Sequence, residues 1–135
     1  MKIEYFHHSM FGNGAMVAEE FRRLMAEKGV AVNVHHMRDV KPQLPPPADL
    51  YLLSSPGRMG KPIGGARRWL KKVNLPAGTR CALLTTEAAP RPNPKTGLVP
   101  TAEELAKWQR VRPILNEIVQ AKGLTKVAEG CVQVT

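Results

Sequence analysis

Seven consecutive residues constrain this chain more than any others: Asp49-Leu-Tyr-Leu-Leu-Ser-Ser55 is a near-continuous apolar run ending in small polar side chains. A strand that is apolar on both sides of its pleat must be covered on both faces, as in the middle of a parallel sheet. A second run of this kind extends from Thr79 to Thr86. Shorter β-rich stretches at residues 2–6, 30–36 and 125–134 complete a set of five expected strands.

Between the strands the apolar period becomes helical. Val17, Phe21, Leu24 and Met25 recur at helical spacing from Ala15 to Lys28, and Gly29 supplies the stop. Ile63, Ala66, Trp69, Leu70 and Val73 form one side of a helix over Pro62 to Val73. Thr101 with Glu104 three residues on is a capping box for a last helix, whose stripe is Leu105, Trp108, Leu115, Ile118 and Val119. Pro113 is expected to kink or divide that helix, and both tryptophans are expected in the core. The crossover through Lys41-Pro-Gln-Leu-Pro-Pro-Pro47 is too proline-rich for a regular helix and should be irregular or very short. The predicted fold is therefore α/β: a three-layer, doubly wound, five-stranded parallel sheet of order 2-1-3-4-5, in a single domain over residues 1–135.

Charge narrows the partners. The 20 Lys and Arg against 11 acids leave a formal charge of +9, which favours acidic proteins, phosphorylated ligands or nucleic acid. The aromatic residues that would interleave a nucleic-acid surface are scarce, so nucleic acid is not expected and an acidic partner protein is. No apolar run approaches the roughly 20 residues of a membrane span, and the N-terminus reads as mature structure, so a soluble cytoplasmic protein without a membrane partner is expected. Cys81 and Cys131 lie in apolar strand-like runs outside any metal-ligand spacing, and are read as two buried free thiols.

Several chemistries are set aside on spacing. Gly12-Asn-Gly14 opens like a dinucleotide fingerprint, but Val17 stands where its last glycine belongs. There is no Gly-Lys-Ser/Thr phosphate loop and no recognisable nucleophile elbow. His7-His8 and His35-His36 end neighbouring strands, where Asp39 is the nearby carboxylate; they are read as strand-end polar residues able to touch a phosphate or carry a proton rather than as metal ligands.

The segment Ser9-Met-Phe-Gly-Asn-Gly14 resembles the flavodoxin phosphate loop, whose pattern is S/T-x-T-G-N-T directly after the first strand. Ser9, Gly12 and Asn13 match, while Phe11 and Gly14 stand where the family has threonines. Free backbone N–H groups at a helix start suit an anion whatever the side chains. Ser54 to Pro62 is similar to the family's S-P-T-Y-x-G pattern through Ser55, Pro56 and Gly60, with Arg58 where an aromatic residue often stacks on the ring.

The resemblance implies a flavodoxin-like protein that binds FMN and transfers electrons to an acidic redox partner. Ser9, Met10, Phe11, Gly12, Asn13 and Gly14 would hold the phosphate; Ser55, Pro56, Gly57, Arg58, Met59 and Gly60 on one side, with Thr86 and Glu87 on the other, would flank the ring. A guanidinium at Arg58 would favour the anionic reduced cofactor. Two alternatives stand beside it. One is a flavodoxin-fold protein without flavin, with Arg58 and Lys61 binding another anionic ligand. The other is an FMN-dependent reductase, in which the long loop from Glu87 to Pro100 closes over a substrate.

Overall fold

The computed structural model describes residues 1–9, 12–58 and 60–134. Its strands are β1 (Lys2–His7), β2 (Ala31–His36), β3 (Leu50–Arg58), the two-residue β4 (Lys61–Pro62), β5 (Arg80–Ala88) and β6 (Thr125–Val134). The five long strands are parallel and ordered β2-β1-β3-β5-β6, which is the expected 2-1-3-4-5 once β4 is set apart. β4 folds back antiparallel on the end of β3, pairing Gly57 with Pro62 and Arg58 with Lys61.

The helices among the described residues are α1 (Asn13–Glu27), α2 (Gly64–Lys72), α3 (Ala102–Trp108) and α4 (Val111–Ala121), of which α1, α2 and α4 pack on the sheet and α3 buries no residue. Strand alternation sorts the core into two layers. Ile3, Tyr5, Val32, Leu52 and Ala82 face α1, where Ala18, Phe21 and Met25 meet them. Phe6, Leu53 and Leu83 point the other way, into Ala66, Trp69 and Leu70 of α2 and Val111, Leu115 and Ile118 of α4. With α1 as the main helical cover on its side, Leu84 of β5 and Val132 of β6 stay half-buried.

The crossover from β2 to β3 is irregular, as its prolines require. A short 3-10 turn, Met37–Asp39, leads into it, and buried Met37 with the Trp69 N–H bond to the Val40 carbonyl at 2.8 Å pins it to the core.

One expectation is met, with its place refined, and three are corrected. The last helix is divided before Pro113 rather than at it: α3 stops at Trp108, and Pro113 is the third residue of α4. A proline ring clashes with the carbonyl four residues back, here that of Gln109, so helix geometry fails at 109–110 while the proline itself fits a first turn. Trp69 is in the core, but Trp108 is 59% exposed at the end of its short helix. Cys81 is a buried free thiol, whereas Cys131 lies exposed on β6, an edge strand. Leu24, at the margin of the α1 stripe, is also exposed.

Candidate functional site

The carboxyl ends of β1, β3 and β5 lie side by side, so the loops following them share one edge of the sheet. In an open α/β sheet that edge, where the strand order reverses beside β1, is where ligands bind.

The first loop is braced from beneath by histidines. The Ser9 N–H donates to His7 Nδ1 at 3.2 Å, and His36 Nε2 meets the Ser9 carbonyl at 3.1 Å. His36 Nδ1 accepts the Arg38 N–H at 3.1 Å, which puts the imidazole proton on Nε2 and makes it the donor to Ser9. The ring centroids of His7 and His36 lie 5.1 Å apart, and those of His8 and His36 4.7 Å apart. Burial, with the neighbouring histidines and Arg38, pushes His7 down to about 4, so it is neutral and its Nδ1 accepts. His8 is lowered for the same reasons and packs under α2, where a side chain at Gly65 would strike its ring. His35 stands apart, bonded to buried Glu4 at 2.5 Å and stacked on Phe6. Among the described residues no three His, Cys, Asp or Glu side chains converge to hold a metal ion.

Above this brace the chain turns into α1. Ser9 Oγ accepts the Gly12 N–H at 3.0 Å, and Gly12 adopts the left-handed conformation at φ 89° that lets the helix begin. Asn13, Gly14 and Ala15 are then in the first helical turn, whose N–H groups have no intrahelical acceptor, and no acid lies there to compete for them. Gly14 packs closely on Ser9, where a Cβ would lie 3.2 Å from the Ser9 Cβ. These features fit a phosphate. Met10 and Phe11, assigned to the same loop from sequence, lie outside the described residues.

The second and third segments are more ordered than the sequence suggests. β3 runs on through Ser55, Pro56, Gly57 and Arg58 and closes a hairpin onto β4, with Gly60 at φ 76°; Met59 lies outside the described residues. Thr86 and Glu87 are residues of β5 rather than of a loop, because β6 pairs with β5 as far as Ala88. This ladder turns the Glu87 carboxylate inward, leaving 5% of the residue exposed. Its Oε2 accepts from Thr85 Oγ1 at 3.0 Å and from the Cys131 thiol at 2.6 Å, with Arg112 Nε 3.4 Å away, while Oε1 has no partner among the described residues. Burial and the bond to Glu87 push the Cys131 thiol up, keeping it a neutral donor.

A cavity of about 60 Å³ separates the hairpin from β5, lined by Gly57, Gly60, Glu87, Ala88, Trp108, Gln109 and Val111. Trp108, Gln109 and Val111 were missed as site residues because they come from the break between α3 and α4, where apolar spacing signals core. On the outer side of the hairpin, Arg58, Lys61 and Arg67 line a cavity of about 310 Å³. Among the described residues, none of these three cations is paired with an acid.

A five-stranded parallel sheet in this order has known counterparts among solved structures. An archaeal flavodoxin aligns with the whole chain and 86% of its own length at a TM-score of 0.69 and 20% identity. The fold is that of the flavodoxins. Oxidised flavodoxin 2 from Bacillus cereus aligns equally completely, at a TM-score of 0.70 and 20% identity. The flavodoxin of Fusobacterium nucleatum bound to flavin mononucleotide aligns over 93% of this chain and 68% of its own, at a TM-score of 0.62 and 12% identity. No protein-family model matches the chain, and no curated protein matches it in sequence.

Proposed function

We propose that this protein binds FMN at the carboxyl ends of β1, β3 and β5 and exchanges electrons with an acidic partner protein in the cytoplasm. The observation that carries the proposal is the start of α1: a turn closed by Ser9, leading into a first helical turn that holds no acid and whose N–H groups have no acceptor among the described residues, at the edge of the sheet where β1, β3 and β5 end. FMN, when bound, supplies the redox chemistry. The chain's residues supply the rest. Asn13, Gly14 and Ala15 would hold the phosphate through their N–H groups, and the two histidines keep Ser9 in place beneath it.

The formal charge of +9 supports an acidic partner, with Arg58, Lys61 and Arg67 on the hairpin and α2 as its contact. Purified protein mixed with excess FMN and passed through a desalting column should retain the yellow flavin absorbance between 350 and 500 nm. A colourless eluate overturns the proposal.

The cavity of about 310 Å³ beside Arg58, Lys61 and Arg67 favours a second reading, in which the fold binds a different anionic ligand there without flavin. A thermal-shift screen of nucleotides and sugar phosphates separates the two readings, since a specific ligand raises the melting temperature by mass action.

A further inference from the structure

Between Asp49 and Glu87 the chain carries seven Lys and Arg and not one acid. Folding gathers most of that charge on one helix. α2 buries Ala66, Trp69 and Leu70 and turns Arg68, Lys71 and Lys72 to solvent, with Arg67 half-buried beside them. Among the described residues none of these four cations is within ion-pair distance of an acid. The cations of α1 are held differently: Arg22 is paired with Glu19, and Arg23 with both Glu20 and Glu27. The formal charge of +9 is therefore concentrated over α2 rather than spread evenly.

The basic face continues past both ends of the helix. Arg58 and Lys61 line a cavity with Arg67 at its start, and Lys122, which caps α4, donates from Nζ to the Lys71 carbonyl at 3.2 Å at its end. The nine residues of α2 span about 13 Å, more than the ~8 Å over which physiological salt screens a charge. One small anion cannot neutralise both ends, whereas an extended acidic segment can. Arg67 and Lys71 stand one helical turn apart, as do Arg68 and Lys72, and like charges at that spacing repel. Carboxylates recurring at the same interval on a partner helix meet both rows, and guanidinium groups bind carboxylates in a two-pronged geometry.

Other occupants fit this face less well. α2 lies with its apolar side packed on the core, so it cannot enter a nucleic-acid groove as a recognition helix does. Its one aromatic residue, Trp69, is buried with its N–H bonded to the Val40 carbonyl, which leaves no platform on which bases stack. A second copy of a chain charged +9 would be repelled.

We infer, resting on the acidic-partner reading and extending it away from the cofactor edge, that the outer face of α2 docks an acidic helical segment of a partner protein whose carboxylates recur one turn apart. Lys71 and Lys72 end the helix that leads back towards the start of β5, remote from the carboxyl ends of the strands, so docking there needs no FMN.

The test is fluorescence anisotropy of a labelled, alanine-based helical peptide of about 20 residues with Glu at every fourth position, mixed with the full chain. The triple reversal Arg68→Glu, Lys71→Glu and Lys72→Glu should weaken the peptide at least about tenfold. The reversal of three exposed cations elsewhere, Lys28→Glu, Arg91→Glu and Lys95→Glu, gives the same net charge and should stay within about threefold of the parent. Circular dichroism melting checks that both variants fold, and Arg68→Gln, Lys71→Gln and Lys72→Gln takes the place of the α2 reversal if that variant does not. A peptide of the same composition with its Glu residues shuffled around the helix should bind about fivefold more weakly than the patterned one. Equal losses in the two triple variants, or equal binding of patterned and shuffled peptides, overturn the inference and leave the acidic-partner reading standing. Failure of the parent to bind either peptide overturns both. Tighter binding of a DNA duplex than of the patterned peptide, lost in the same α2 variant, overturns the assignment of the partner as a protein.

Discussion

Ser9 is held by its own backbone: one histidine takes its N–H and another binds its carbonyl, and the first of these bonds needs His7 neutral. His7 is held near 4 in the folded protein against 6.5 in an ordinary environment. Between those values the unfolded chain binds the extra proton and the folded chain does not. The contribution of His7 is therefore fully present above pH 6.5 and lost as pH falls towards 4. Urea unfolding at pH 7.5, 5.5 and 4.5 should show this loss, and His7→Gln should flatten it. Gly60 is a second residue-scale test. Its φ of 76° and the Trp108 carbonyl both exclude a side chain, so Gly60→Ala should cost more than about 2 kcal/mol by denaturant titration. Sequence marked Gly60 as a site residue through its motif. It gave no sign that the glycine is needed to seat Trp108, because the two are far apart in the chain.

Helix placement shows why apolar spacing reads some elements well and others poorly. In α4 the stripe and the core coincide: Leu115 is fully buried between the sheet and α2, and Leu115→Ala should cost about 3 kcal/mol. Leu24 matches the α1 stripe equally well in sequence but is 43% exposed, so Leu24→Ala should cost less than about 1 kcal/mol. Chemical denaturation of the two variants side by side measures the contrast. α3 and α4 were legible as one helix with a proline, and the proline does enforce a break. Its position at 109–110 follows from the carbonyl that the Pro113 ring excludes, and the bonds from Gln109 and Arg110 to neighbouring strands stabilise it there. The strand ends were read too short for a related reason. Residues 56–58 and 87–88 look like loop by composition, but partner strands give their backbone groups somewhere to bond.

At the scale of the whole molecule, ligand and fold are linked. FMN at a hundredfold excess over its dissociation constant should add about 2.7 kcal/mol to stability. That raises the melting temperature of a domain this size by roughly 10 °C, which differential scanning calorimetry would read and which an unchanged midpoint would refute. The sheet order, the layers and the position of the anion loop were all determined by sequence. Apolar runs, helical periods and prolines act locally, and the handedness of parallel crossovers leaves few ways to assemble them. Ser9, Gly12 and Asn13 belonged to that legible part, being adjacent in the chain. Glu87 was named from its motif position, but its burial and the approach of Trp108 were not legible. Glu87 became a buried carboxylate only when β6 paired beside it, and Trp108 reached the cavity only because a helix broke against a hairpin about 50 residues upstream. Such placements depend on contacts between distant segments, so tertiary structure alone decided them.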